Sequence, residues 1–101
     1  NGHEARLLID TGATEVVVPG ELADELGLKR GLKHRVRTAN GEIGVYRTRI
    51  DTLELGPITL TDIAASINPH MEGEILLGMS ALRYLELSQI NDQLILKQRL
   101  R

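Results

Sequence analysis

The chain has 101 residues, a formal net charge of -2, no cysteine, phenylalanine or tryptophan, and two tyrosines, Tyr46 and Tyr84. Its length suits one domain, spanning residues 1–101, with a modest aliphatic core, and its charge balance favours neither nucleic acid nor an anionic membrane as a partner. The absence of cysteine excludes disulfides, thiol nucleophiles and thiolate metal sites.

Taken in order, Ala5 to Ile9 reads as a buried strand running into Asp10-Thr11-Gly12, and Glu15 to Val18 as the strand leaving that turn. Pro19 stops the strand and can open a helix. Glu21 to Leu26, with acids early and leucines four apart, predicts one short helix, and Gly27 is placed to cap it. The basic run from Lys29 to Arg37 lacks interleaved aromatics and reads as a solvated strand face rather than a nucleic-acid patch. Asn40-Gly41 lies between two strand-like stretches and signals a hairpin.

Tyr46 to Leu55 and Ile58 to Ile67 read as two strands joined at Gly56-Pro57, and Asn68-Pro69-His70 breaks the chain. Glu74 to Leu77 reads as a buried strand ending at Gly78. Met79 to Leu85 predicts a short helix, and Leu87 to Ile90 with Gln93 to Lys97 a closing hairpin about Asn91-Asp92. The expected class is mostly β, with one or two short helices. No signal peptide is visible, and no apolar stretch has the length of a spanning helix. The start at Asn1 rather than Met suggests a fragment or processed form, from which an upstream membrane anchor could have been lost.

The chemistry concentrates at Asp10. A carboxylate at the exit of an apolar strand, in a tight turn with a glycine, is held on the backbone and open to approach. The other aspartates, Asp24, Asp51, Asp62 and Asp92, are not followed by Thr/Ser-Gly, so a two-carboxylate mechanism needs a second copy of the chain. Asp10 also suits a turn aspartate that bonds its own backbone. His3, His34 and His70 show no metal-ligand spacing, so neither a metal nor another cofactor is expected.

Four features in order make the pattern specific: an apolar run into Asp10-Thr11-Gly12-Ala13, a glycine-bearing hairpin at Asn40 to Val45, Ile75-Leu76-Leu77-Gly78, and a helix with a terminal strand pair. Together they resemble the retropepsin-like aspartic proteases, the retroviral protease family. The "DTGA", "TANG" and "LLGMSAL" segments look most like the bacterial branch. The resemblance runs from about Leu7 to Lys97.

It implies a closed β-barrel-like retropepsin fold and a homodimer with one active site on its two-fold axis. Asp10 would be the catalytic aspartate, Thr11 the residue whose hydroxyl braces the two turns, and Gly12 the residue whose amide supports the carboxylate. Ala13, Asn40, Gly41, Glu42, Ile43, Gly44, Val45 and Leu76 would meet the substrate. The segment from Asn40 to Val45 would be a flap, with Asn40-Gly41 and Gly44 easing unusual backbone angles and Ile43 and Val45 giving apolar contact. An ordinary hairpin tip fits the same residues. A polypeptide substrate and a periplasmic or envelope-tethered location are implied by resemblance alone, while the charge balance already argues against a nucleic-acid partner.

One departure is the short stretch of chain before Asp10. Retroviral members have a longer arm there, which pairs with the partner's terminal strands, so the dimer interface is less defined than the catalytic turn. An aspartyl-phosphate phosphatase is disfavoured because Gly12 stands where that class commonly has a second aspartate. A protease-like fold serving as a binding or dimerisation module, with weak or lost catalysis, is the alternative from another class.

Overall fold

The structure, a computed structural model, describes residues 2–38, 41–91 and 93–99. Its elements follow the chain as β1 (Leu7–Ile9), β2 (Val16–Pro19), α1 (Gly20–Leu26), β3 (Lys33–Thr38), β4 (Gly41–Leu55), β5 (Ile58–Asn68), β6 (Ile75–Leu77), α2 (Met79–Leu82), β7 (Leu85–Ile90) and β8 (Gln93–Gln98). Six strands form one sheet in the order β1-β6-β2-β5-β4-β3, and β7 pairs with β8 in a second, two-stranded sheet. The larger sheet curls as half a barrel, matching a retropepsin-like fold.

Valine-rich β2 holds the centre. It runs parallel to β5, with Val16 opposite Ala65 and Val18 opposite Ile67, and it meets β6 antiparallel where Val17 faces Leu76. Strand alternation sends Val16, Val18, Ala65, Ile67, Ile75 and Leu77 to one side, where all are buried. Val17, Ser66 and Leu76 fall on the other side. Helix α1 follows β2 directly: Pro19 stands at its N-cap with extended backbone (φ -58°, ψ 144°), and Gly27 closes it in the left-handed region at φ 72°. Ala23 is the fully buried residue of that helix.

Of the element boundaries that depart from expectation, two bear on packing. The second helix stops at Leu82 rather than Leu85, because Leu85 is drawn into the ladder opposite Gln98 and buries its side chain in the core. Strand β1 is shorter than Ala5 to Ile9 and is not buried: Leu8 is 52% exposed and Ile9 37%. It pairs on one side only, with β6, so among the described residues its outer edge stays open. The basic run enters the sheet only from Lys33, where the exposed Lys33, Arg35 and Arg37 alternate with the half-buried His34 and Val36. The centre of the Asn91-Asp92 turn lies in part outside the described residues, since Asp92 is not among them.

Candidate active site

Asp10 follows β1 at the end of the sheet where the C-termini of β1 and β6 meet the N-terminus of β2. Its amide donates to the carbonyl of Leu77 at 3.1 Å, and its own carbonyl accepts from the Ala13 amide at 3.1 Å, closing the turn. The Gly12 amide donates to Asp10 Oδ1 at 3.0 Å. A Cβ on Gly12 would lie 3.2 Å from that same oxygen, so glycine keeps the carboxylate uncrowded. An ordinary turn aspartate would make the same amide bond. What distinguishes this turn is its presentation: Asp10 is half-buried, Thr11 and Gly12 are exposed, and the Thr11 hydroxyl makes no hydrogen bond among the described residues.

The turn is held from behind by the start of α2. Met79 donates its amide to the Ala13 carbonyl at 2.8 Å. Ser80, buried in the same turn of helix, accepts from the Val16 amide at 2.9 Å and donates to the Ala64 carbonyl at 2.6 Å. Its hydroxyl thus continues the parallel ladder one step beyond the first β2–β5 pair. Gly78 passes so close that a Cβ there would run into the carbonyl oxygens of Glu15 and Ala13.

Alternation carried one residue past β1 puts Asp10 on the side of Leu8. The register then extends that side across the sheet: Leu8 faces Leu76, Leu76 faces Val17, Val17 faces Ser66, and Ser66 faces Arg47. Leu76 and Val17 are half-buried. Glu15, two residues before Val17, joins this side through a 2.6 Å bond in which the Ser66 hydroxyl donates to its Oε2. Sequence reading singled out Leu76 but not Leu8, Val17, Glu15 or Ser66. The period-two relation of Leu8 to Asp10 was available in the sequence. The Glu15–Ser66 bond, spanning 51 residues, had no local signal.

The hairpin of β3 and β4 divides its expected residues. Ile43 lies opposite Val36, and Val45 opposite His34, on one face. Glu42 sits with Arg35 and Arg37 on the other, at 3.7 and 3.8 Å, in exposed pairs worth little. Val45 is only 3% exposed, so Ile43 is the more accessible apolar side chain of the two. Gly41 has φ 109°, which favours glycine, whereas Gly44 is an ordinary strand residue whose added Cβ would meet only the flexible end of Lys33. The unusual backbone angle is therefore at Gly41 and not at Gly44. Asn40 lies outside the described residues.

A groove beside β1 and α1, between Leu7, Leu26, Leu28, Ile50 and Ile75, does not include Asp10 in its lining. It brings no group to the Asp10 turn. Among the described residues no three of His, Asp and Glu gather as metal ligands.

The family model described as "gag-polyprotein putative aspartyl protease" matches residues 1–84. The chain is 32% identical over 102 residues to "Uncharacterized protein in cobV 5'region" from Sinorhizobium sp., covering 96% of this chain and 44% of that protein. It therefore spans less than half the length of this curated relative. Among solved structures it is similar to a retropepsin-like aspartic protease from Rickettsia conorii, with a TM-score of 0.72 and 28% identity over 91% of this chain and 72% of that one.

Proposed function

The chain belongs to the retropepsin-like aspartic protease family, and from that premise we propose that it is an aspartic endopeptidase whose active site forms between two copies. The observation that carries this reading is the Asp10 turn: a carboxylate fixed by the Gly12 amide at 3.0 Å, in an exposed loop held to β6 and α2 by backbone bonds. One chain supplies one such turn. Facing turns would bring two Asp10 carboxylates together, where like charge makes them share a proton. The ionised member takes a proton from a bound water, which attacks the peptide carbonyl. The protonated member gives its proton to the developing oxyanion.

Surface composition supports a homodimer. The two-stranded β7–β8 sheet exposes Leu87 and Ile90, and its outer edges carry no further strand among the described residues. Such an edge is suited to pairing with another chain. The Thr11 hydroxyl, without a partner among the described residues, suits a bond across two facing turns. The β3–β4 hairpin serves as the flap, with Ile43 toward the peptide. An envelope location and an upstream tether belong to the same proposal on the strength of resemblance alone.

The test compares parent and Asp10→Asn on an unfolded protein at acidic pH. The parent is expected to cleave. The variant, equal in shape but lacking one ionisable group per chain, is expected to lose cleavage while keeping the parent's circular dichroism. Equal cleavage by both would refute the assignment.

A further inference from the structure

We propose that the basic border of the β3–β4 hairpin docks on an anionic bilayer surface, with Leu32 entering the headgroup layer. The formal charge of -2 conceals a strong asymmetry: residues 27–50 carry seven of the twelve Lys and Arg residues but one of the fourteen Asp and Glu residues. The fold gathers that excess along one border of the molecule, because β3 is the outermost strand of the large sheet. Lys33 lies opposite Tyr46, Arg35 opposite Gly44 and Arg37 opposite Glu42, all on one face. Arg30 joins them, its guanidinium 5.2 Å from the centre of the Tyr46 ring, with the Lys33 ammonium 5.9 Å from the same centre. Asp24 and Glu42 hold Arg30, Arg35 and Arg37 only at 3.6 to 3.8 Å, in exposed pairs that leave positive charge in excess.

Leu32 distinguishes a lipid surface from a soluble polyanion. Of the exposed large hydrophobic side chains among the described residues it is the most open, at 79%. It stands inside the basic run, next to Lys33 and two residues after Arg30. Its backbone is tied to the sheet: the Arg47 amide donates to the Leu32 carbonyl at 2.9 Å, and the Gly31 amide donates to the Arg47 carbonyl at 2.7 Å. An apolar side chain flanked by cations matches a bilayer interface, where it enters the headgroup layer while the cations meet lipid phosphates. An acidic peptide or a nucleic acid would use the charges and leave Leu32 in water. The row of Lys33 and Tyr46 continues to Ile67 on the buried side of the sheet, so the docked cations lie on the opposite side from Asp10. Such a surface stands whether or not the chain is an endopeptidase.

The experiment mixes the protein at neutral pH with sedimentable vesicles of phosphatidylcholine, alone or with about one-third phosphatidylglycerol. Binding to the mixed vesicles is expected at about 0.1 M salt, should weaken strongly at about 0.5 M, and should be absent on phosphatidylcholine alone. Arg35→Glu and Arg6→Glu change the net charge equally, but Arg6 precedes β1 at the opposite border of the sheet. Arg35→Glu should weaken binding about ten-fold, and Arg6→Glu should leave it within about two-fold of the parent. Leu32→Trp gives the chain its one tryptophan, whose emission should move to the blue on the mixed vesicles. Circular dichroism of each variant reports that it is folded. No binding to the mixed vesicles, equal losses in the two charge variants, or unshifted emission from bound Leu32→Trp protein would overturn the inference. So would binding to poly-glutamate or to RNA without binding to the vesicles.

Discussion

The amide of Val16 donates to the hydroxyl of Ser80, 64 residues further along the chain, at 2.9 Å in a buried setting. The same hydroxyl donates to Ala64, so one side chain ties β2, β5 and α2 together directly behind the loop that carries Asp10. Ser80→Ala should therefore leave a buried donor and a part-buried acceptor without their partner, at a cost of about 1–3 kcal/mol for the buried donor and less for the acceptor. In a domain of this size each kcal/mol lowers Tm by roughly 4–8 °C. Thermal melting checks this, and an unchanged Tm would show that the hydroxyl is not a structural link.

Gly78 is the tightest position behind the site, because a Cβ there meets two backbone carbonyl oxygens that no side-chain rotation can move. Gly78→Ala should destabilise by at least the roughly 1–3 kcal/mol typical of overpacking. By contrast, Gly44→Ala presses only on the end of Lys33 and should change Tm little. Melting the two variants side by side tests the difference, and equal losses would contradict it.

Under the proposed mechanism cleavage per chain should fall on dilution, since one chain holds one Asp10 turn and the proposed site needs two. Sedimentation run alongside rate measurements relates activity to the dimer fraction. Full activity in a sample sedimenting as monomer would exclude a shared site.

Activity should be confined to acidic pH and respond to statine-type inhibitors. A carboxylate pair works with one shared proton. As pH rises past the point where that proton leaves, both members are ionised, no acid remains to protonate the oxyanion, and the rate falls. A pH–rate profile still climbing above neutrality, with no inhibitor response, would contradict the mechanism.

Ile43 is half-buried on the same face of the β3–β4 hairpin as Val36 and Val45. If the hairpin folds over substrate, Ile43→Ala should reduce kcat/KM several-fold through lost apolar contact, with a Tm change smaller than that of a core truncation. Steady-state kinetics decide this. Unchanged kinetics would mark the segment as an ordinary exposed hairpin.

The sequence by itself determined the local events whose causes are local. Gly27 ends α1 because glycine accepts φ 72°, and Gly56-Pro57 turns β4 into β5 because no strand continues through that pair. The Asp10 turn was legible for the same reason: apolar strand, short polar turn and glycine lie within a few residues of one another. What lay beyond the sequence depends on partners far along the chain.

Leu85 reads as the end of a helix until the ladder with Gln98 claims it. Leu8 reads as buried until β1 is seen to pair with β6 alone. Only the tertiary structure, by bringing β6 between β1 and β2, set Leu76, Val17 and Glu15 on the side that Asp10 shares with Leu8. Strand register is fixed by non-local packing of alternate residues, so a side chain's face follows from its neighbours across the sheet and not from its own type.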